Sequence, residues 1–118
     1  MINWSKTKQY FEKNFGEEID LDGILFIIGV HELGKGSQKF SKDQKLDILH
    51  IAVCTLLEPY HYYSFKGYDD DGWPHWERTD KLPNLRPREQ EELMKTAIIE
   101  YVVSNNLITL DDEPVHGG

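Results

Sequence analysis

The 118-residue sequence predicts a mainly α (α+β) fold: about four helices around one core, with an inserted aromatic β-hairpin. Three observations carry that expectation. Four segments hold apolar residues at helical spacing between recognisable start and stop signals. Between the third and fourth, Tyr60 to Thr79 drops that spacing and gathers tyrosine and tryptophan around Asp71-Gly72, a pair suited to a tight hairpin turn. The length falls in the usual range for one domain, so residues 1–106 are expected to form a single globular domain (hairpin at about 60–79) and residues 107–118 an acidic C-terminal tail.

The first helix is expected from Ser5 to Phe15, where Trp4, Phe11 and Phe15 fall on one stripe and Gly16 is placed to cap the end. A second, apolar nearly all round and therefore central, runs from a cap at Asp20 or Asp22 through Ile24, Leu25 and Ile28 to Leu33, where Gly34 stops it. The third opens on Ser41-Lys42-Asp43-Gln44, in which the serine hydroxyl can accept from a first-turn amide while the glutamine reaches back. Leu46, Leu49, Val53, Leu56 and Leu57 are expected to form its buried face, and Pro59 ends it.

In the hairpin, Pro74 cannot donate to a ladder, so its strand should be short or at an edge. Pro87 then suits the first position of a fourth helix, with Glu89, Glu91 and Glu92 near its positive end. Leu93, Met94, Ala97, Ile98, Tyr101 and Val102 give that helix an apolar face. In the tail, Leu107 to Leu110 could add a short strand before the chain frays.

Composition excludes several functions. With 13 basic against 21 acidic residues, the formal charge of -8 repels a phosphate backbone, so no nucleic-acid partner is expected. The longest apolar run, Ile24 to Ile28, is far too short to span a bilayer, and the N-terminus lacks the pattern of a secretory signal, so neither membrane association nor export is expected. Cys54 is the only cysteine, which rules out a disulfide within the chain and a multi-cysteine zinc site, and fits a reducing, cytoplasmic setting.

Known chemical motifs fail at identifiable positions. Gly29 to Gly36 has the G-x4-G-K spacing of a phosphate loop, but Gly36 stands where a magnesium-binding hydroxyl is required. His31-Glu32 begins like a zinc-protease helix, but Lys35 takes the place of the second histidine. Asp69-Asp70-Asp71-Gly72 resembles the middle of an EF-hand loop, yet aligning Gly72 puts Gly67 at the first ligand position and Arg78 at the twelfth. A solvated acidic turn explains that run better.

Two constellations remain. Asp47, His50, Cys54 and Glu58 lie at steps of three, four and four on the third helix, a stripe that could hold a metal or move protons with help from His61, His31 or His75. Because His50 also lies among leucines and Cys54 among isoleucines, a buried structural role is the stronger expectation, with no cofactor and no metal; His50, Cys54, Glu58 and His61 are the ligands to test. The second is aromatic: seven of the 14 aromatic residues fall between Tyr60 and Trp76. Strand alternation would put Trp73, His75 and Glu77 on one side and Pro74, Trp76 and Arg78 on the other, and only one side can pack on the helices.

The expected function is therefore a non-catalytic protein–protein interaction or self-association module. Its surface would comprise Tyr63, Tyr68, Trp73, His75 and Trp76, and its partner would be another protein or a second copy of the chain. The competing expectation is a small enzyme or a ligand- or metal-binding protein, with a pocket between the third helix and the hairpin. If both sides of the hairpin are covered, its rings are simply core.

Overall fold

The computed structural model describes residues 2–35 and 38–108. In chain order it contains α1 (Trp4–Phe15), α2 (Leu21–Leu33), α3 (Lys42–Leu57), a single 3-10 turn (Glu58–Tyr60), β1 (Tyr63–Tyr68), β2 (Pro74–Arg78) and α4 (Pro87–Ser104). The fold is thus the mainly helical one with an inserted aromatic hairpin. No helix among the described residues is long and apolar enough to cross a membrane.

The elements group into two compact units, one of residues up to Asp20 together with those from Leu85 onward, the other of Leu21–Asn84. In the first, the Asn3 side chain accepts from the Lys6 amide at 2.9 Å and opens α1. Gly16, at φ +74°, closes it by donating to the Glu12 carbonyl. Phe11 is buried, and Trp4 lies beneath the Lys95 ammonium at 5.6 Å. Phe15 departs from the expected stripe: it is 53% exposed, because it sits in the last turn just before the chain leaves the helix at Gly16.

Pro87 starts α4, where the Arg86 amide donates to the Glu89 carboxylate at 3.0 Å, and Met94, Ala97, Ile98, Tyr101 and Val102 are buried as the periodicity requires. The amides of Leu107 and Ile108 both donate to the Val102 carbonyl, and Ile108 is buried. The remainder of the expected acidic tail, and most of its expected strand, lies outside the described residues.

In the second unit, α2 and α3 approach closely at Gly29, where a Cβ would overlap the backbone carbonyl of Ile48. That approach sets which side of α3 is buried. Ile48, Ile51, Ala52, Leu56 and Leu57 turn inward, whereas Leu46 is 58% exposed and Leu49 and Val53 are only half-buried. The expected leucine face is therefore rotated toward the β-branched residues. Leu33, Ile48 and Ile51 form a cluster against which Phe26, Val30, Phe40 and Trp73 pack.

The start of α3 is built as its sequence specifies. Ser41 Oγ accepts from the Gln44 amide at 3.1 Å, and the Gln44 side chain accepts from the Ser41 amide at 2.8 Å. At its other end the chain passes through the 3-10 turn at Pro59, and His61 takes a left-handed conformation at φ +65°.

The hairpin pairs Tyr63 with Arg78, Ser64 with Glu77 and Phe65 with Trp76, then resumes at Gly67 with His75 and Tyr68 with Pro74. Lys66 is the extra residue of a bulge, and Gly67, at φ +117°, takes the backbone conformation that follows it. Pro74 falls at the first position of β2 in a sheet of two strands. At the open end, Thr79 donates through its amide to the Tyr62 carbonyl at 3.0 Å and through its hydroxyl to the His61 carbonyl at 2.7 Å.

Candidate functional site

A cleft of about 370 Å³ lies between α3 and the hairpin. From α3 come Gln44, Asp47, His50 and Ile51. The turn and β2 supply Asp69, Asp71, Trp73, Pro74, His75 and Trp76. Both walls owe their places to the packing already described. Ile51 and Trp73 belong to the apolar cluster between the helices, so the polar residues one turn away on α3 and beside Trp73 on the hairpin face each other.

Asp69 organises the turn. One carboxylate oxygen accepts from the amides of Asp71 and Trp73, each at 2.9 Å, and the other lies 2.9 Å from His75 Nε2. The bond to His75, then that from the Trp73 amide, hold its carboxyl below the usual carboxylate range. Of the Asp71-Gly72 pair only Gly72 takes a positive φ, +82°, and the connection spans Asp69 to Trp73 rather than two residues. The turn so formed is acidic and exposed. Lys35 reaches it from the end of α2, its ammonium donating to the Asp71 carbonyl at 2.6 Å.

Asp47 and Asp71 differ from Asp69: among the described residues neither side chain has a hydrogen-bonded or ion-paired partner. Among the described residues, no lysine or arginine lines the cleft, and neither does a serine, threonine or cysteine. Trp76 lines it with an indole whose Nε1–H is buried and, among the described residues, donates to no acceptor. Such a donor costs about 1–3 kcal/mol while unsatisfied.

The helical stripe divides. Asp47 and His50 open on the cleft, Cys54 is buried, and Glu58 is exposed where α3 ends. His50 Nε2 stands 3.4 Å from Cys54 Sγ, and its ring meets Tyr63 edge-on at 5.9 Å. Burial pushes the Cys54 thiol up to about 12 and raises the Tyr63 phenol as well. A thiol so placed stays protonated near neutrality, which suits neither a nucleophile nor a metal ligand. His61 lies beyond the 3-10 turn, away from the cleft lining, and His31 is exposed on α2. Among the described residues, no three histidine, cysteine or acidic side chains come together as a metal site.

The phosphate-loop likeness also dissolves: Gly29 is inside α2 and Gly34 ends it at φ +70°, while Gly36 and Ser37 lie outside the described residues.

The hairpin rings separate into two groups. Trp73 belongs to the apolar cluster and meets Phe40 edge-on at 6.4 Å. Trp76 instead meets Phe65 at 5.1 Å, and Phe65 meets Tyr68 at 5.2 Å. In this row Phe65 is 39% and Tyr68 68% exposed. Tyr63 packs on His50 and lies outside both the row and the cleft lining. Phe65 is the residue that simple alternation misses. The bulge at Lys66 lets Phe65 and Tyr68, three positions apart, share a side, and Gly67 within a strand was its signal.

No family model, curated protein or solved structure matches this chain.

Proposed function

We propose that this chain is a non-catalytic interaction module that binds another protein chain through the hairpin. The carrying observation is the exposed ring row Phe65–Tyr68, continued by Trp76 into the wall of the cleft. Large rings left in water at the edge of a polar cleft have the composition of an interaction hot spot, where aromatic anchors lose solvent on binding. A two-stranded sheet leaves strand edges unpaired, so a partner's backbone has hydrogen bonds to gain there too.

The test is selection of binders from a random peptide library on the immobilised protein, alongside sedimentation across concentration. Phe65→Ser/Tyr68→Ser is the comparison variant. Peptide enrichment or self-association that this variant loses, with its helical circular dichroism intact, supports the proposal. It is refuted if neither kind of association occurs, or if the variant associates as well as the original.

A second function, a small-ligand site that moves protons, is favoured by one observation: the Asp69–His75 pair at 2.9 Å on the cleft wall, where a carboxylate can orient an imidazole. It is weakened by the lack of any hydroxyl, thiol or lysine among the lining residues. A His75→Gln variant that keeps all binding measured above removes its support.

A further inference from the structure

We infer that the cleft between α3 and the hairpin receives the guanidinium of an arginine side chain presented by the partner chain. This rests on the interaction proposed above and names what the partner must carry.

The residues lining the cleft combine acidic side chains with two tryptophans. Asp47 on α3 and Asp71 on the turn bring carboxylates to the lining from two sides, and among the described residues neither has a cation of its own. Asp69 is already engaged with two amides and His75, so it shapes the turn and leaves the other two to meet a ligand. Among the described residues, the ammonium at the turn is that of Lys35, which donates to the Asp71 backbone carbonyl. An anionic group is disfavoured beside acidic residues in a chain whose formal charge is already -8. A cation is drawn in by the same field.

Shape and polarity select among cations. At about 370 Å³ the cleft is at the small end of ligand pockets, which run from about 300 to 1,000 Å³, and suits one long side chain. Trp73 and Trp76 are the two tryptophans among the lining residues. A planar guanidinium can stack on an indole while its fork of N–H donors meets a carboxylate, a combination that the compact, strongly hydrated ammonium of lysine does not match. These features together favour an arginine within a chain over a soluble organic cation or a sugar.

The experiment titrates the full chain with acetyl-Gly-Arg-Gly-amide, following backbone and indole signals by ¹⁵N–¹H NMR. Expected are saturable shifts at Asp47, Asp71, Trp73 and Trp76, and binding at least tenfold weaker in Asp47→Asn/Asp71→Asn. That variant changes only exposed residues, and its fold is checked by circular dichroism. The lysine peptide and free guanidinium should each bind several-fold more weakly, and the glutamate peptide should give no shift. The proposal is overturned if the arginine peptide does not saturate, if the asparagine variant binds it equally, or if a glucose oligomer shifts the cleft signals while the arginine peptide does not. Failure here with Phe65- and Tyr68-dependent association intact removes the arginine and leaves the interaction module standing. Asp47- and Asp71-dependent arginine binding with no effect from the ring row would overturn the ring-row surface instead.

Discussion

The α2–α3 pair and the hairpin differ in what holds them. Where the helices cross, backbone meets side chain with no spare volume: Gly29 sits against Ile48, and Ile28 and Ile48 are buried to within 1%. Burial of that quality stabilises a core at about 25 cal/mol per Å² of apolar surface. The hairpin has Trp73 tied into that core, a turn organised by a single carboxylate, and a row of rings left partly in solvent. Rigidity and availability are thus divided between neighbouring elements. The helices supply a fixed wall, and the hairpin supplies groups that still have contacts to make.

The sharpest way to break the comparison is Gly29→Ala. The added methyl has backbone in its way, so the expected loss is about 3 kcal/mol, the upper part of the range for overpacked cores, and urea denaturation measures it. A loss below about 0.5 kcal/mol, the scale of an ordinary surface substitution, would mean that the helices do not approach as described.

Cys54 tests the same wall chemically. Its folded thiol is pushed up to about 12, against about 8.5 for a free cysteine. Since the folded value is raised, its contribution to stability is complete below about pH 8.5 and is lost as pH rises toward 12. At pH 8 a thiol reagent should therefore label Cys54 only as fast as the protein opens, with the rate rising in step with urea. Prompt labelling of the folded protein would show an accessible thiol.

Ser41→Ala should cost about 1 kcal/mol, the usual worth of a helix N-cap, because it strands the Gln44 amide at the first turn of α3. Smaller still is the effect at the hairpin turn. The Asp69 carboxyl is held below the usual range, so its support is present above about pH 4 and disappears as pH falls through that lowered value. Faster amide exchange at Asp71 and Trp73 below that point, with α2 and α3 still protected, would show that the turn loosens separately. Loss of both together would erase the distinction.

Much of the fold is legible because each helix carries local signals: Ser41 and Gln44 around one start, Pro87 at another, Gly16 and Gly34 at two ends. The buried side of α3 was not legible. Leucines outnumber isoleucines along its most obvious stripe, and only the tertiary approach at Gly29 selects Ile48 and Ile51 over Leu46. In the candidate site, Trp73, His75 and Trp76 stand out by composition, but their division between core and cleft depends on the helices they meet. Asp47 and Asp71 are ordinary acidic residues until the fold puts them on facing walls. Phe65 escaped because period-two alternation holds only as far as the bulge, which Gly67 marked.

The most direct test pairs two readouts on Tyr68→Ser, a change at the most exposed ring of the row. Unfolding free energy in urea should stay within about 0.5 kcal/mol of the original, as for a surface site, while affinity for a library-selected peptide falls at least tenfold. A variant that loses stability by about 2 kcal/mol, or that binds the peptide unchanged, would contradict the assignment of this ring row as an interaction surface.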